Sequence, residues 1–313
     1  MSRLSRPFLL VAGLAVAGPA AAELSAAEAA GWLQRMADAS RQLHYEGVFI
    51  LGEGDRMQSL QVVNRPAGQG KESRLVVLDG RQREVRCTRN ESVSIEGAGP
   101  AARSARRPGS RHFPDLLPEK AAPLAELYQV RLGAADRVGG HDCREVQLLP
   151  RDRYRWGYVL CVENRTGLPL RAVMVNEAGE PMMRYAFAEL RFGPGAEAPR
   201  SAPPLRRGET VSPAGEARVR VGQLPPGFSR VVAMKRRLPR QGGEVEHWVF
   251  SDGLNHVSLF IEQASKPVHP LRGQSPRGMM NLLTRQVGAY QVTVVGDAPW
   301  PTVEAIAMNL GEP

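Results

Sequence analysis

Two sheet-rich domains of the α+β class, a large N-terminal antiparallel β domain and a smaller C-terminal α+β domain, are what this 313-residue sequence predicts. Three observations carry that prediction. From His44 to Phe192, short apolar runs are separated by Gly, Pro, Asp or Asn, the pattern of consecutive antiparallel strands. Helical periodicity is confined to one stretch near each end of the chain. Between the two sheet-rich parts lies GPGAEAPRSAPPLRRGE (193–209), whose Pro, Gly and Ala offer nothing to bury and mark a linker.

The composition, 42% hydrophobic and 23% charged, is globular and long enough for two cores, which excludes disorder throughout. Arg3 and Arg6, the apolar run Phe8 to Ala17, and Ala20-Ala21-Ala22 form the three regions of a secretory signal, with the cut expected after Ala22. The expected division is a signal peptide at 1–22, a large β domain at 23–193, a linker at 194–209 and a small domain at 210–313. No Cys stands at the cut, so no lipid anchor is expected there. No later run approaches the ~20 apolar residues a spanning helix needs. An excess of Lys and Arg leaves the mature chain at roughly +7, which favours an acidic protein or the phosphates of an anionic lipid as partner.

The first element is announced by Ser25-Ala-Ala-Glu28, a capping box that satisfies free N–H groups at a helix start. The helix is expected to run to about Gln42, docking Ala29, Trp32, Leu33, Met36 and Leu43 on a sheet. Strands follow at 44–51, 57–64, 73–80, 83–89 and 91–97. From Gly97 to Pro118 the alternation stops. With Arg103, Arg106, Arg107, Arg111 and His112 this stretch reads as a long basic loop, either solvated or an anion-binding lid.

Strands resume at 126–132 and 143–149, and a β-meander follows: DRYRWGYVLCVE (152–163), LPLRAVMVN (168–176) and PMMRYAFAELRF (181–192). In its first run Tyr154, Trp156, Tyr158, Leu160 and Val162 share an apolar face, and Arg153, Arg155 and Glu163 a wet one. Three cysteines allow at most one intrachain disulfide. Cys143 and Cys161 fall on adjacent strands almost opposite each other, within reach of a bridge; three free, buried thiols are the alternative.

In the small domain, strands at 218–221 and 228–236 lie around Leu-Pro-Pro-Gly (224–227). Those at 245–251 and 254–262 flank Asp252-Gly253, a two-residue hairpin signal. Two more strands are expected at 278–286 and 290–296. A closing helix carries Val303, Ile306, Ala307 and Leu310 and ends at Gly311.

Catalysis leaves no signature. There is no Gly-x-Ser-x-Gly elbow, no Gly-rich phosphate loop before a helix and no His-Glu-x-x-His. His141-Asp142-Cys143 cannot converge, because neighbours on a strand point to opposite faces. His247 and His256 read as a cross-strand polar pair beside the Asp252-Gly253 turn, without the third ligand a metal requires. No metal or cofactor is implied. Nucleic acid is excluded as a partner, since no stacking aromatics are interleaved with the basic residues.

Segments along the whole mature chain resemble the MucB/RseB family of periplasmic negative regulators of sigma-E-type envelope-stress factors. They include Asp-Arg-Tyr-Arg-Trp-Gly-Tyr (152–158) with Thr-Gly-Leu-Pro-Leu-Arg (166–171), Trp32-Leu-Gln-Arg-Met36, Leu43-His-Tyr-Glu-Gly47, Leu224-Pro-Pro-Gly-Phe228, Phe250-Ser-Asp-Gly-Leu254 and Tyr290-Gln-Val-Thr-Val-Val-Gly296. The resemblance implies a LolA/LolB-like unclosed β-barrel with helices across its mouth, then a small α+β domain. It also implies a partner, the periplasmic segment of a membrane anti-sigma factor of RseA or MucA type. That segment would be shielded from site-1 cleavage by a DegS-type protease and released by lipopolysaccharide or another acylated lipid. A lipid or lipoprotein carrier of LolA/LolB type is the alternative.

Under the regulator reading, Trp32, Met36, Phe49, Leu60, Val62, Trp156, Tyr158 and Leu160 line an apolar concavity for acyl chains, and Arg103, Arg106, Arg107 and Arg111 meet phosphate. An unclosed barrel leaves an edge strand, through which a homodimer is the expected free state.

Overall fold

A computed structural model describes residues 22–67, 70–88, 91–97, 102–108, 111–194, 212–213, 218–237, 244–275 and 279–313. The signal-peptide reading, apart from Ala22, and the linker reading, apart from residue 194, fall outside the described residues. The capping box forms as expected: Ser25 Oγ accepts from the Glu28 N–H, and the Glu28 carboxylate accepts from the Ser25 N–H at 3.0 Å.

After β1 (Ala22–Glu23) and α1 (Ala26–Gln42), six strands follow: β2 (Tyr45–Glu53), β3 (Arg56–Ala67), β4 (Gly70–Val77), β5 (Arg83–Cys87), β6 (Glu91–Glu96) and β7 (Arg103–Pro108). One helical turn, α2 (Leu124–Leu127), then leads into β8 (Tyr128–Val138), β9 (His141–Pro150), β10 (Gly157–Glu163), β11 (Pro169–Val175) and β12 (Pro181–Phe192). All twelve strands make one antiparallel sheet in the order β1-β8-β9-β10-β11-β12-β2-β3-β4-β5-β6-β7.

The sheet has two edges and does not close, but it curls strongly. His141 at the start of β9 reaches the Leu190 carbonyl of β12 at 3.1 Å across two intervening strands, and Arg171 of β11 pairs with Asp136 of β8 at 2.8 Å. Irregular register in β8 and β12 supplies the bend. Leu33, Met36 and Ala37 of α1 are fully buried in the core that the curl encloses.

The second unit comprises β13 (Ser212–Pro213), β14 (Arg220–Val221), β15 (Ser229–Arg237), β16 (Glu244–Ser251), β17 (His256–Gln263), β18 (Leu271–Gln274), β19 (Asn281–Val287), β20 (Tyr290–Gly296), α3 (Trp300–Met308) and β21 (Leu310–Gly311). Its seven-stranded sheet runs β13-β15-β16-β17-β20-β19-β18, and β14 pairs separately with β21. Val303, Ile306 and Ala307 of α3 bury against Val257, Leu259 and Val294. Leu310 is buried too, but in β21 rather than in the helix. The α+β architecture is as the sequence predicts.

Five local expectations are corrected. The stretch from Gly97 to Pro118 is not one loop, because Arg103–Pro108 pairs with Glu91–Glu96 as an edge strand. Arginine and proline are what an edge tolerates, and they erase the alternation that announces a strand. Next, Asp152–Trp156 is a turn rather than strand, closed by the Asp152 carboxylate accepting from the Tyr154 N–H at 2.9 Å. Arg155 and Glu163, assigned to a wet face, are 1% and 3% exposed.

The Asp252-Gly253 turn is also longer than two residues, with 252–255 between the paired ends Ser251 and His256. Among the described residues only glycines have positive φ, Gly253 at 107°, so Asp252 does not take the conformation that a type I′ two-residue turn asks of it. Finally, the strand register places His247 opposite Phe260 and His256 opposite Ser251, so the two histidines are not a pair. His247 instead stacks on Phe260 at 4.4 Å.

Candidate functional site

The tip of the β16–β17 hairpin is pressed into the first domain. Asp252 Oδ1 accepts from the N–H groups of Leu254 and Asn255 at 2.9 and 2.8 Å, which folds the tip into a compact knob. Leu254 belongs to the core of the first domain, 6% exposed. Asp252 Oδ2 meets Arg155 Nη1 at 2.7 Å with both side chains fully buried. The same guanidinium donates to Asp152 at 2.9 Å and to the Pro226 carbonyl at 2.6 Å, and lies over the rings of Tyr128 and Phe228.

Asn255 Oδ1 accepts from the Trp156 N–H at 3.1 Å, and its Nδ2 donates to the Tyr128 hydroxyl at 3.0 Å. Thr302 Oγ1, from α3, donates to the Tyr154 carbonyl at 2.6 Å. A buried arginine is tolerated when its donors are filled in this way, and its planar fork fixes the relative position of everything it touches. The turn 152–156 thus serves the second domain, which is why it leaves the strand pattern.

Beside this knob lies a cleft of about 570 Å³ walled by both domains. One wall carries Lys120, Leu124 and Leu127, the other Val231, Val232 and His256, and Arg111 stands between them. Two glycines set how closely the walls approach. A Cβ on Gly253 would stand 3.1 Å from Pro118 Cγ and 3.2 Å from Leu124 Cδ2, and one on Gly227 would stand 2.5 Å from Leu127 Cδ1.

Burial lowers the His256 imidazole to about 4, with Arg111 adding to the shift, so it is neutral near pH 7. Burial raises Asp297, which accepts the His256 N–H at 2.8 Å, to about 6. With the Asp252 charge committed to Arg155, the cleft offers apolar surface with cations, Arg111 and Lys120, and one rim carboxylate, Glu126. Such a surface suits an extended acidic and apolar segment.

The residues singled out from sequence separate into groups. Met36, Phe49, Val62, Trp156, Tyr158 and Leu160 are all under 10% exposed in one core cluster, with Trp32 and Leu60 packed at its margin. Trp156 also lines a second cleft at the domain seam, of about 520 Å³, together with Trp300 and Met182. Arg103 is exposed on the edge strand β7; the side chains of Arg106 and Arg107 lie outside the described residues.

Arg111 is not with them. Its Nη2 donates to the Gly253 carbonyl at 2.7 Å, at the domain seam. Cys143 and Cys161 are joined by a disulfide with Cα atoms 5.5 Å apart, one diagonal step across β9 and β10, and Cys87 is free and buried. Among the described residues no group of three or more His, Cys, Asp or Glu is placed to hold a metal, and no helix is long and apolar enough to cross a membrane. Sequence reasoning missed the roles of Asp252 and Asn255. An arginine enclosed by aromatics, Tyr154-Arg155-Trp156, was the one available signal.

Two family models divide the chain much as its two sheets do, the MucB/RseB N-terminal domain over residues 28–207 and the MucB/RseB C-terminal domain over 213–311. The chain belongs to the MucB/RseB family. It is 31% identical over 320 residues to the sigma factor AlgU regulatory protein MucB of Pseudomonas aeruginosa, covering 96% of each chain. It is 26% identical over 314 residues to the sigma-E factor regulatory protein RseB of Escherichia coli, covering 92% of each. Among solved structures it is similar to the MucA/MucB complex of P. aeruginosa, with TM-score 0.71, 28% identity, and 91% of this chain and 99% of that one covered. The MucB/RseB family is one of regulatory binding proteins.

Proposed function

We propose that this chain binds the periplasmic segment of a membrane-spanning anti-sigma factor and so restrains an envelope-stress sigma factor, acting by binding rather than catalysis. The observation that carries the reading is the match of both domains, in one arrangement, to MucB solved with MucA. The seam supports it physically. A cleft walled by both domains, with Arg111 and Lys120 above apolar side chains, suits an extended segment carrying acidic and apolar residues.

Sequestering such a segment hides its backbone from a site-1 protease of DegS type, because proteolysis needs an extended, accessible chain. The chain works in the periplasm after removal of the 1–22 signal, and an acylated lipid such as lipopolysaccharide releases the partner to the extent that it favours the partner-free state. The test is titration of the mature chain with the periplasmic segment of the host's own anti-sigma factor, with and without lipopolysaccharide. Saturable binding that lowers the rate of site-1 cleavage is expected; no binding would overturn the proposal.

A further inference from the structure

The second cleft at the seam, of about 520 Å³, shares no lining residue with the one beside the knob, and its chemistry is the opposite. Arg111 and Lys120 give the first cleft its cations. Among the described residues the second is lined by no cation and by one carboxylate, Glu177. Its size is ordinary for a small-molecule site. Two indoles, Trp156 from the first domain and Trp300 from the second, contribute its walls together with Met182 and Pro301.

The indole N–H of Trp156 is buried and has no hydrogen-bond partner. A buried tryptophan N–H ordinarily finds one, so this donor asks for an acceptor that the chain does not supply. Trp156 is only 6% exposed, and its backbone N–H is tied to Asn255 Oδ1 at 3.1 Å. The rest of the cleft is equally fixed. In the turn from Asn176 to Glu180, Asn176 Oδ1 accepts from the Ala178 and Glu180 N–H groups at 3.0 and 2.9 Å. Trp300 is held by Arg272, whose guanidinium lies 5.0 Å from the ring centroid and pairs with Glu304 at 2.8 Å. Glu177 and Gln274, one from each domain, are exposed at the rim and have no side-chain partner among the described residues.

We infer that this cleft binds a neutral N-acetylated amino sugar, or a short oligomer of one. Its acetamido carbonyl meets the Trp156 N–H, its pyranose C–H face lies on Trp300, and its hydroxyls meet Glu177 and Gln274. Each part answers one observation. The lack of a lining cation sets aside phosphates and carboxylates, and an N–H donor repels a cation. A plain aliphatic chain leaves the donor and both rim side chains idle. An amide carbonyl is a good neutral acceptor for the buried N–H, and the electron-rich indole face attracts the partly positive C–H groups of a sugar ring. A carboxylate and a carboxamide are planar groups that bond adjacent hydroxyls. The site goes beyond the regulator reading and does not depend on it. Because its walls come from both domains, an occupant bridges them and stabilises the docked arrangement.

The test is calorimetric titration of the full mature chain with N,N′,N″-triacetylchitotriose, a neutral trimer of N-acetylglucosamine, and with maltotriose, which has rings and hydroxyls without acetamido groups. In parallel, nitrogen–proton correlation spectra follow the Trp156 indole N–H, assigned by its disappearance in Trp156→Phe. Saturable binding of the chitotriose is expected, with a downfield shift of the Trp156 resonance and about tenfold weaker binding of maltotriose. Glu177→Ala and Gln274→Ala, at exposed positions that leave the fold intact, should each weaken chitotriose binding by about fivefold to tenfold.

No saturable binding of the chitotriose would overturn the proposal. So would binding that leaves the Trp156 resonance in place, or that is unchanged in both rim variants. Equal binding of maltotriose would overturn the acetamido contact. A shift of the same resonance by the anti-sigma segment and not by the chitotriose would overturn the sugar in favour of a peptide at this cleft.

Discussion

Two buried ionic sites hold this molecule together, and they do different work. At the seam, Arg155 and Asp252 are both fully buried and lie 97 residues apart, one in each domain. Inside the first domain, Asp115 meets Lys71 and Arg41, whose side chains are 9% and 19% exposed. Desolvation offsets much of what either gains from Coulomb attraction, so neither is mainly a source of stability. Their value is positional. The fully dry pair, extended by the Pro226 carbonyl and the ring faces, fixes one docking geometry. The group around Asp115 ties residues 115–118, which have no strand partner, to α1 and β4.

The largest effect expected from breaking this contrast is at the dry pair. Arg155→Ala leaves the Asp252 charge buried without its partner and should cost about 3–5 kcal/mol, read from urea unfolding. A loss as small as that of a surface pair would mean water enters the seam. Next comes Gly253→Ala, at φ 107° with Pro118 and Leu124 in the way of a Cβ. It should cost about 1–3 kcal/mol and widen the domain separation in scattering.

The seam also carries titratable neighbours, and their pH dependence sharpens the comparison. Asp297, raised to about 6, favours the folded state when protonated, so its contribution is complete below about 4 and lost as pH rises through 6. His256, lowered to about 4, contributes above 6.5, and that contribution is lost as pH falls through 4. The two slopes oppose each other between about pH 4 and 6, and thermal unfolding of the parent chain should be nearly level there. Asp297→Asn should leave stability falling as pH drops, and His256→Gln should leave it rising; parallel curves for all three proteins would refute the assignment. The smallest effect is expected for Arg272→Ala, which removes an exposed pair with Glu304, at under about 1 kcal/mol in the same unfolding assay.

Regular elements were legible wherever a local rule decided them. The Ser25 cap, the alternation of β2 to β6 and the 3,4 spacing in α3 each depend on neighbours within a turn or a strand. What was hidden depends on partners far along the chain. Arg155 reads as a solvated strand residue until Asp252 is known to lie against it. Arg111 reads as one of four basic residues on a loop, yet its carbonyl partner comes from the other domain. β7 was hidden for a different reason: its role as an edge is met by Arg and Pro, which mimic a loop. Apolar character alone placed Trp32, Met36, Phe49, Leu60, Val62, Trp156, Tyr158 and Leu160 on or against one core.

The burial of Leu254 and Met279, both from the second domain, in the core of the first domain bears on separability. The chain is not two modules on a string. A fragment starting near Thr210 would present the hairpin knob to water with Asp252 unpaired, and a fragment ending before it would leave an open socket around Arg155. Inheritance must therefore treat the knob and its socket as one unit, so that a change at residues 252–255 is tolerated only alongside a matching change at 152–156.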